Sequence, residues 1–167
     1  MMKKLISLLL ALLLFAGICL AEPVYTEDDV LVDGDIAMTD DLYIEYGYDY
    51  LLRDEVALYL YAFGELPYNY LTKHEAEDLG WDSRKGNLWD CGDYLCIGGD
   101  NFRNREKQLP EKKGRKWYEC DVNYDGGYRG SDRILFSTDG LIYFTEDHYE
   151  TFTLLFDGWY DTDYRYE

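Results

Sequence analysis

Two residues in the second half of the sequence, Glu119 and His148, have side chains that could exchange protons with a substrate. A histidine changes its charge near neutral pH and suits a general acid, and a carboxylate suits a general base. Considered separately, each residue is explained more simply as a solvated surface side chain. Whether they act as a base and an acid depends on the other residues that lie near them.

An acid–base pair that acts on an anionic substrate also needs cations to bind it, and Arg129 and Arg133 could supply them. Guanidinium groups bind phosphate oxygens through two parallel hydrogen bonds. Cleavage of RNA without a metal requires a base for the 2′-hydroxyl proton, an acid for the departing 5′-oxygen and cations for the charge on the phosphorane. With Glu119 as base and His148 as acid, these residues form a hypothetical set for that reaction.

Other chemistries leave no signature in the sequence. It contains no Gly-rich phosphate loop, no His-Glu-x-x-His motif, no Cys-x-x-Cys motif and only two histidines. A calcium site among the many carboxylates stays open, although no segment has the spacing of a calcium-binding loop. We therefore expect neither a metal nor a cofactor.

The segment before these residues has helical periodicity. Apolar side chains recur at helical spacing from Leu51 to Phe63, and Gly64 followed by Pro67 ends the helix. Thr72 and Glu75 then form a capping box at the start of a second, short helix. We expect both helices to precede the strands.

The rest of the domain has β character. Residues 116–122 alternate, which places Glu119 on one face of a strand and Cys120 on the other. Two more strands and the turn that joins them lie within 132–145, and a last strand lies at 150–155. Helices followed by strands predict an α+β fold, with N-terminal helices packed on one face of a twisted antiparallel sheet.

The N-terminus predicts export. Two lysines precede an apolar stretch that is too short to span a bilayer comfortably, and small residues precede Glu22. This is the pattern of a signal peptide at residues 1–21, cleaved after Ala21. We expect a secreted, extracellular protein that has no membrane segment after cleavage.

Cleavage would leave three cysteines, an odd number for an exported protein. Cys91 and Cys96 are close enough in sequence to close a small loop, and a disulfide between them is our hypothesis. Cys120 would then stay unpaired, with its side chain directed into the core.

Charge is distributed unevenly along the chain. Residues 22–49 contain ten acidic and no basic side chains, and the net charge is −18. An acidic balance opposes the binding of a polyanion at long range. We expect one domain at 50–155, an acidic pro-segment, linker or peripheral strand at 22–49, and an acidic tail at 156–167. Either acidic segment could lie over the cations as a phosphate mimic; the alternative is a solvated pro-segment that aids export.

Eight segments, in order and in register, match the motifs of one family: Leu66–Lys73, Leu79–Trp81, Lys85–Leu88, Ile97–Glu106, Gly114–Glu119, Asn123–Tyr124, Gly127–Leu135 and Asp147–Thr153. They resemble the microbial guanyl-preferring ribonucleases of the barnase type, and the likeness extends from about residue 51 to residue 155. The family fold, with helices against a twisted antiparallel sheet, agrees with the fold predicted above.

The resemblance implies a role for each candidate. Glu119 is similar to the family's general base and His148 to its general acid, while Lys73 joins Arg129 and Arg133 in holding the scissile phosphate. The implied activity is metal-independent endonucleolytic cleavage of single-stranded RNA, preferably after guanosine. It passes through a 2′,3′-cyclic phosphate that is then hydrolysed.

One loop resembles the family segment that reads guanine. Glu106 would accept hydrogen bonds from N1 and N2 of the base, while backbone N–H groups and Arg105 would face O6 and N7. Phe102 and Asn104 belong to the same loop. Tyr149 resembles the aromatic residue that borders the site.

Two features depart from the family pattern. A small polar residue is common where Arg103 stands, which could loosen the base preference, and barnase-type proteins are basic whereas this chain is acidic. The resemblance also implies a barstar-like inhibitor as a partner, whose pairing the extra acidity would weaken by repulsion. We expect a monomer. The alternatives are an inactive or self-inhibited binding module of the same fold and a metal-dependent nuclease.

Overall fold

The computed structural model describes residues 23–160, so the predicted signal peptide and residues 161–167 of the predicted tail lie outside the described residues. No helix within residues 23–160 is both long and apolar enough to cross a membrane. After a single 3-10 turn, the elements are β1 (Leu31–Asp33), β2 (Ile36–Met38), β3 (Tyr43–Glu45), α1 (Arg53–Phe63), β4 (Tyr70–Leu71), α2 (Lys73–Asp78), α3 (Leu88–Cys91), β5 (Cys96–Phe102), β6 (Trp117–Asp121), β7 (Arg133–Ser137), β8 (Leu141–Thr145) and β9 (Thr153–Asp157).

Six strands form the central sheet, in the order β4-β5-β6-β7-β8-β9. The two-residue β4 runs parallel to β5, and the other neighbouring pairs of this sheet are antiparallel. Strands that follow one another in sequence lie side by side, because antiparallel neighbours need no crossover connection. The predicted α+β architecture is confirmed.

Alternate residues of the central strands face opposite sides of the sheet. Cys120 of β6 and Ile134 of β7 point into the main core beneath α1. Trp117 and Leu135, from the same two strands, face a second and smaller apolar cluster. Glu119 follows Trp117 by two residues and therefore shares the face of the second cluster. The alternation predicted for this strand is confirmed.

Helix α1 is buried on every side. Its residues 56–62 are all buried, so the helix lacks the polar face of an ordinary surface helix. At its start, Glu55 accepts a hydrogen bond from the backbone N–H of Leu52, and Gly64 ends it in the left-handed conformation at φ 75°. A helix of this kind needs apolar cover on both sides.

The second cover is a three-stranded antiparallel sheet, in the order β1-β2-β3. The central residue of each strand, which is Val32, Ala37 or Ile44, is buried in the main core. The described part of residues 22–49 therefore agrees with the peripheral-strand alternative, and its removal as a pro-segment stays a prediction. This part is a folded layer of the domain.

This N-terminal sheet does not cover the candidate cations. Strands β2 and β3 pack on α1, which lies on the sheet face opposite to Glu119. Within residues 23–160, no hydrogen bond or ion pair joins residues 23–49 to Lys73, Arg129 or Arg133. The hypothesis that this segment masks the site as a phosphate mimic is wrong.

The described part of the tail also packs on the main core. Phe156 is buried, and its ring stacks on those of Tyr61 and Tyr25, with centroids 4.4 and 5.0 Å away. The backbone N–H of Tyr160 donates to the carbonyl of Tyr61. Strand β9 continues to Asp157, two residues beyond the expected domain boundary.

The three cysteines within residues 23–160 are free. The Cys91 thiol lies 3.5 Å from the carbonyl oxygen of Asn87, and the buried Cys96 thiol lies 3.4 Å from that of Asp121. The structure therefore differs from the disulfide hypothesis, because the two thiols contact different parts of the chain. Cys120 is buried in the main core, as predicted.

Candidate active site

Glu119 lies on the sheet face that carries the second apolar cluster. Strand β6 places it opposite Asp100 of β5 and Leu135 of β7. Its Oε1 accepts a 2.6 Å hydrogen bond from Lys73 Nζ, and its Oε2 accepts a 2.8 Å hydrogen bond from the Tyr149 hydroxyl. Two donors from distant parts of the chain therefore hold this carboxylate.

The pKa of the Glu119 carboxyl reflects two opposing effects. Its side chain is only 13 % exposed, and burial by itself would raise the pKa. The hydrogen bonds from Lys73 and Tyr149, with the positive charges of Lys73 and Arg129, outweigh burial and lower the pKa below its usual value. Glu119 is therefore ionised at neutral pH, which is the state a general base requires.

Lys73 is positioned by the first turn of α2. The predicted capping box is confirmed: the Thr72 hydroxyl accepts from the backbone N–H of Glu75, and the Glu75 carboxylate accepts from that of Thr72. The backbone N–H of Lys73 donates to Asp100 Oδ2 at 3.0 Å, and its ammonium lies 3.6 Å from the same oxygen. The ammonium thus contacts the carboxylates of both Asp100 and Glu119.

A bulge in β5 sets the direction of Asp100. The register between β5 and β6 shifts between Gly98 and Asp100, and a bulge re-aims the side chains next to it. A Cβ atom on Gly98 would lie 2.6 Å from Cys120 Cβ and from Tyr70 Cδ1. Only glycine, which has no Cβ atom, permits this close approach at residue 98. Gly98 therefore allows the bulge that directs Asp100 toward Lys73.

Asp121 brings the two arginines together. Its side chain is 3 % exposed, and its oxygens accept hydrogen bonds from Arg129 Nε and Nη2 at 2.5 and 2.7 Å. Arg133 Nε lies 2.8 Å from the same carboxylate as an ion pair, without the alignment of a hydrogen bond. One buried carboxylate thus anchors both guanidiniums on the face that carries Glu119.

Sequence reasoning missed this role of Asp121. The alternation of β6 does place Asp121 on the same face as Glu119. Its pairing with the arginines depends on how the connection to β7 folds back, which no local pattern encodes. A second carboxylate two residues from the candidate base, close in sequence to two arginines, is the signal that could have found it.

His148 and Tyr149 lie in a turn with unusual backbone geometry. Their φ angles are 58° and 77°, in the left-handed region that residues with a Cβ atom rarely adopt. The Asp147 carboxylate holds this turn by accepting hydrogen bonds from the hydroxyl and backbone N–H of Thr151 and from the backbone N–H of Glu150. These bonds, led by that from the Thr151 hydroxyl, lower the pKa of Asp147 to about 2.

The turn presents two side chains with different surroundings. His148 is exposed to solvent, and its ring centroid lies 4.7 Å from that of Tyr149. The Tyr149 hydroxyl reaches Glu119, and burial together with this hydrogen bond raises the pKa of Tyr149 to about 12. Tyr149 thus contacts both the candidate acid and the candidate base.

The loop after β5 contains the residues predicted to read a base. Phe102 stacks on Tyr149, with ring centroids 5.3 Å apart and planes 26° from parallel, which joins this loop to the rest of the site. Arg105 and Glu106 are exposed. Neither forms a side-chain hydrogen bond or ion pair within the part of the chain that the structure describes, so both are available to a ligand.

Asn104 differs from the expectation that its side chain contacts substrate. It is buried, and its amide group donates to the carbonyl of Leu109 at 2.8 Å and accepts from the N–H of Leu109 at 3.0 Å. The side chain is therefore engaged inside the loop. Asn104 positions the loop, and only its backbone stays available for recognition.

The site as a whole combines an ionised carboxylate, three cationic side chains and an exposed imidazole. Such a group can take a proton from a hydroxyl, hold a phosphate among the cations and return a proton to a leaving oxygen. Within residues 23–160, no group of three or more His, Cys, Asp or Glu side chains has an arrangement that could hold a metal ion.

Comparisons with known proteins find ribonucleases. The ribonuclease family profile matches residues 55–155. Ribonucleases of Bacillus intermedius and Bacillus pumilus are each 52 % identical to this chain over 100 residues, which cover 60 % of the chain and 62 % of each relative. A ribonuclease of Heyndrickxia coagulans is 52 % identical over 99 residues, which cover 59 % of the chain and 91 % of that protein.

The matched part of the chain spans less than two thirds of the two Bacillus relatives. The family match begins after the N-terminal sheet and continues into β9, so it contains the central sheet almost entirely. It also contains every residue assigned to the site. From this match and from the arrangement of those residues, we conclude that the chain belongs to the barnase-like ribonuclease family.

Proposed function

We propose that this protein is a secreted endoribonuclease that cleaves single-stranded RNA, preferably after guanosine, without a metal ion. The reaction is a transphosphorylation to a 2′,3′-cyclic phosphate, followed by hydrolysis. The observation that carries the proposal is the ionised carboxylate of Glu119, which Lys73 and Tyr149 hold beside two arginines anchored by Asp121.

In the first step the 2′-oxygen attacks phosphorus while Glu119 takes the 2′-hydroxyl proton. Lys73 exchanges its contact with Glu119 for one with a phosphate oxygen, which frees the carboxylate to act. Arg129 and Arg133 stabilise the charge that develops on the phosphorane. His148 donates a proton to the 5′-oxygen as the bond from phosphorus to that oxygen breaks.

In the second step water attacks the cyclic phosphate. His148, which lost its proton in the first step, takes one from the water, and the protonated Glu119 returns its proton to the 2′-oxygen. The bond from phosphorus to the 2′-oxygen breaks and a 3′-phosphate remains. Both residues regain their original protonation states, as a catalytic cycle requires.

The guanine preference is proposed from the loop after β5. Glu106 accepts hydrogen bonds from N1 and N2 of the base, while Arg105 and backbone N–H groups face O6 and N7. The stacking of Phe102 on Tyr149 supports this assignment, because it brings the loop next to the phosphate site. Asn104 contributes by holding the shape of the loop.

Export and an inhibitor belong to the same proposal. The basic and then apolar sequence of residues 1–21 supports a signal peptide and an extracellular enzyme. A barstar-like acidic protein would bind the same cations, and the net charge of −18 would slow its approach. We expect the enzyme to act as a monomer, since the proposed mechanism needs no group from a second chain.

Cleavage of four dinucleoside phosphates tests the proposal. Wild-type protein is incubated with GpU, ApU, CpU and UpU in excess chelator, and the cyclic product is followed by chromatography. GpU should be cleaved fastest. Glu119→Gln and His148→Ala should each lower kcat by about 10²–10⁴-fold, which is the contribution of a positioned base or acid.

The matched controls change exposed residues of α2. Glu77→Gln and His74→Ala should leave kcat unchanged. A folded wild-type protein that cleaves none of the four substrates would contradict the proposal and favour an inactive binding module of the same fold. Cleavage that stops when a chelator is added would indicate a metal-dependent nuclease instead.

A further inference from the structure

A pocket of about 730 Å³ opens where the start of α1, helix α3 and the loop after β6 meet, and we call it the aromatic pocket. Its lining comes from three separate parts of the chain, which lie within residues 48–55, 89–94 and 123–125. None of these described residues belongs to the candidate active site. Five of the eleven lining residues are aromatic: Tyr48, Tyr50, Trp89, Tyr94 and Tyr124.

Trp89 is fixed between two other aromatic rings of the pocket. Its indole N–H donates to the carbonyl of Leu95 at 3.0 Å. Its ring centroid lies 5.7 Å from that of Tyr94 and 5.4 Å from that of Tyr124, at interplanar angles of 65° and 75°. Rings at such steep angles form the walls of a cage rather than a flat stack. Because their contacts hold them in place beforehand, a ligand would not have to order them on binding.

The loop after β6 is tied to the rest of the pocket. Gly126 has a φ of 92°, and a Cβ atom there would lie 2.8 Å from Cε3 of Trp89, so a glycine lets the loop close on the indole. The backbone N–H of Asn123 donates to the carbonyl of Leu51 at 2.7 Å, and its side-chain oxygen accepts from the N–H of Arg53 at 3.0 Å. Hydrogen bonds therefore join two walls of the pocket.

The polar groups of the pocket are mainly carboxylates. Asp49, Glu55 and Asp125 line it, and no lysine or arginine is among its described lining residues. Glu55 accepts a hydrogen bond from the N–H of Leu52 at the start of α1. The side chains of Asp49 and Asp125 are exposed, and neither forms a hydrogen bond or ion pair with another residue in the range 23–160. Their negative charges are therefore available to a ligand.

This combination favours a cation, and a guanidinium in particular. The faces of aromatic rings attract cations, and carboxylates pair with them. A guanidinium is planar, stacks on aromatic rings and forms two parallel hydrogen bonds with one carboxylate. It is also more weakly hydrated than an ammonium group, so it enters an aromatic pocket at a smaller cost.

The rim of the pocket favours a polypeptide over a small molecule. Tyr48, Leu52 and Tyr94 are 59, 58 and 59 % exposed, and a small cation inside the pocket would leave them uncovered. A chain that passes over the pocket would cover them. Tyrosine, tryptophan and arginine are the residues that contribute most to contacts between proteins.

The charge of the whole molecule favours the same partner. A net charge of −18 opposes the approach of RNA but attracts a basic polypeptide at long range. The local carboxylates of the pocket and the overall field therefore select ligands of the same sign.

We propose that the aromatic pocket binds an arginine side chain of a basic polypeptide partner. The guanidinium lies against the aromatic walls and pairs with the carboxylates of the pocket, while the neighbouring residues of the partner cover the rim. Tyr124 belongs to the main core, whereas Glu119 lies on the opposite face of the central sheet. A partner bound at the pocket therefore leaves the candidate active site open.

Calorimetric titration of the whole protein with a short peptide tests the proposal. The probe is acetyl-Gly-Leu-Arg-Leu-Gly-amide, and its control is the same peptide with citrulline, which keeps the shape of arginine without its charge. At low salt the arginine peptide should bind at least tenfold more tightly, and its affinity should fall as salt rises. Equal binding of the citrulline peptide would overturn the proposal.

Two matched variants show where the peptide binds. Asp49→Asn/Asp125→Asn should reduce the affinity for the arginine peptide to that for the citrulline peptide. Because both carboxylates are exposed and lack partners in the described structure, its urea unfolding midpoint should match that of the wild type.

Asp40→Asn/Asp41→Asn makes the same change in net charge at exposed positions outside the pocket and should keep the wild-type affinity. An equal loss of affinity in both double variants would mean that net charge alone attracts the peptide, and the pocket would be rejected.

Two further measurements separate the partner from other cations and other sites. Arginine amide should bind at least tenfold more weakly than the peptide, and equal affinity would assign the pocket to a small organic cation instead. A saturating amount of the arginine peptide should leave the cleavage of GpU unchanged. Competitive inhibition would place the peptide at the candidate active site and overturn the proposal. The binding measurements need no RNA, so they test the pocket even in a protein that cleaves none.

Discussion

The two faces of the six-stranded sheet are held together by different forces. One face carries Cys120 and Ile134 into an apolar core, which α1 covers and the N-terminal sheet encloses from the far side. The other face carries Glu119, Asp121 and Arg133, whose charged groups are held largely by other charged groups. The same strands supply both faces, because their side chains alternate.

This difference explains how a strongly acidic protein can keep a site for an anion. The acidic N-terminal segment lies on the side of α1, while the cations of the site lie on the opposite face of the central sheet, beside Glu119 and Asp121. The potential near a site depends on the local arrangement of charges as well as on net charge. Substitutions on the apolar side should therefore change stability and leave the chemistry intact.

Asp121 should be the strongest test of this separation, because it is both charged and buried. Asp121→Asn leaves the guanidiniums of Arg129 and Arg133 without their counter-charge. Removing one partner of a buried ion pair costs about 3–5 kcal/mol, which urea unfolding would measure. Cleavage of GpU by the protein that stays folded should also fall, because the arginines lose their anchor.

The matched control removes a carboxylate from the exposed loop that follows. Asp125→Asn should change the free energy of unfolding by less than about 0.5 kcal/mol. If Asp121→Asn were equally mild, the idea that ion pairs hold the catalytic face would have to be abandoned.

Ile44 tests the apolar side. Its side chain is fully buried where the N-terminal sheet meets the main core, and Ile44→Ala should cost about 2–5 kcal/mol of unfolding free energy. The kcat on GpU should stay at the wild-type value. Leu31→Ala, in the same small sheet but at an exposed position, should have little effect on either quantity. An unchanged stability in Ile44→Ala would mean that this layer is dispensable after all.

Lys73 gives the smallest of these shifts, a change in pH dependence, which accompanies the loss of rate expected from its proposed contact with the phosphate. Its hydrogen bond and charge lower the pKa of Glu119, so Lys73→Gln should raise that pKa. The acidic limb of kcat/KM on GpU should move to higher pH, because the ionised base is then lost earlier as pH falls. Lys85→Gln should leave the limb in place. If the acidic limb of the pH profile does not move in Lys73→Gln, the group whose titration produces that limb is not Glu119.

Four strands of the central sheet, helices α1 and α2 and the face of Glu119 could be predicted from local patterns, whereas β4, β5 and α3 were not predicted. Alternation over residues 116–122 is long enough to fix a strand and its two faces, and the box formed by Thr72 and Glu75 marks a helix start without reference to the rest of the fold. The roles of the site residues stay predictions that rest on the family resemblance.

The N-terminal sheet was missed because its strands have three residues each, which is too short for a periodic pattern. A signal did exist in α1. Its residues 56–62 are Val, Ala, Leu or Tyr throughout, which makes the helix apolar all round, and such a helix requires a second cover. The anchoring by Asp121 left one local signal, a second carboxylate close in sequence to Glu119 and to two arginines, but the pairing itself depends on the path of the loop between β6 and β7.

The turn of His148 and Tyr149 has a consequence for how this fold would change if its activity were no longer needed. A left-handed backbone costs a residue with a Cβ atom roughly 1–2 kcal/mol, and it costs glycine almost nothing. Both residues carry this penalty side by side. Glycine at either position would relieve this penalty, so we expect these two positions to be among the first to change in a relative that has lost the activity proposed here.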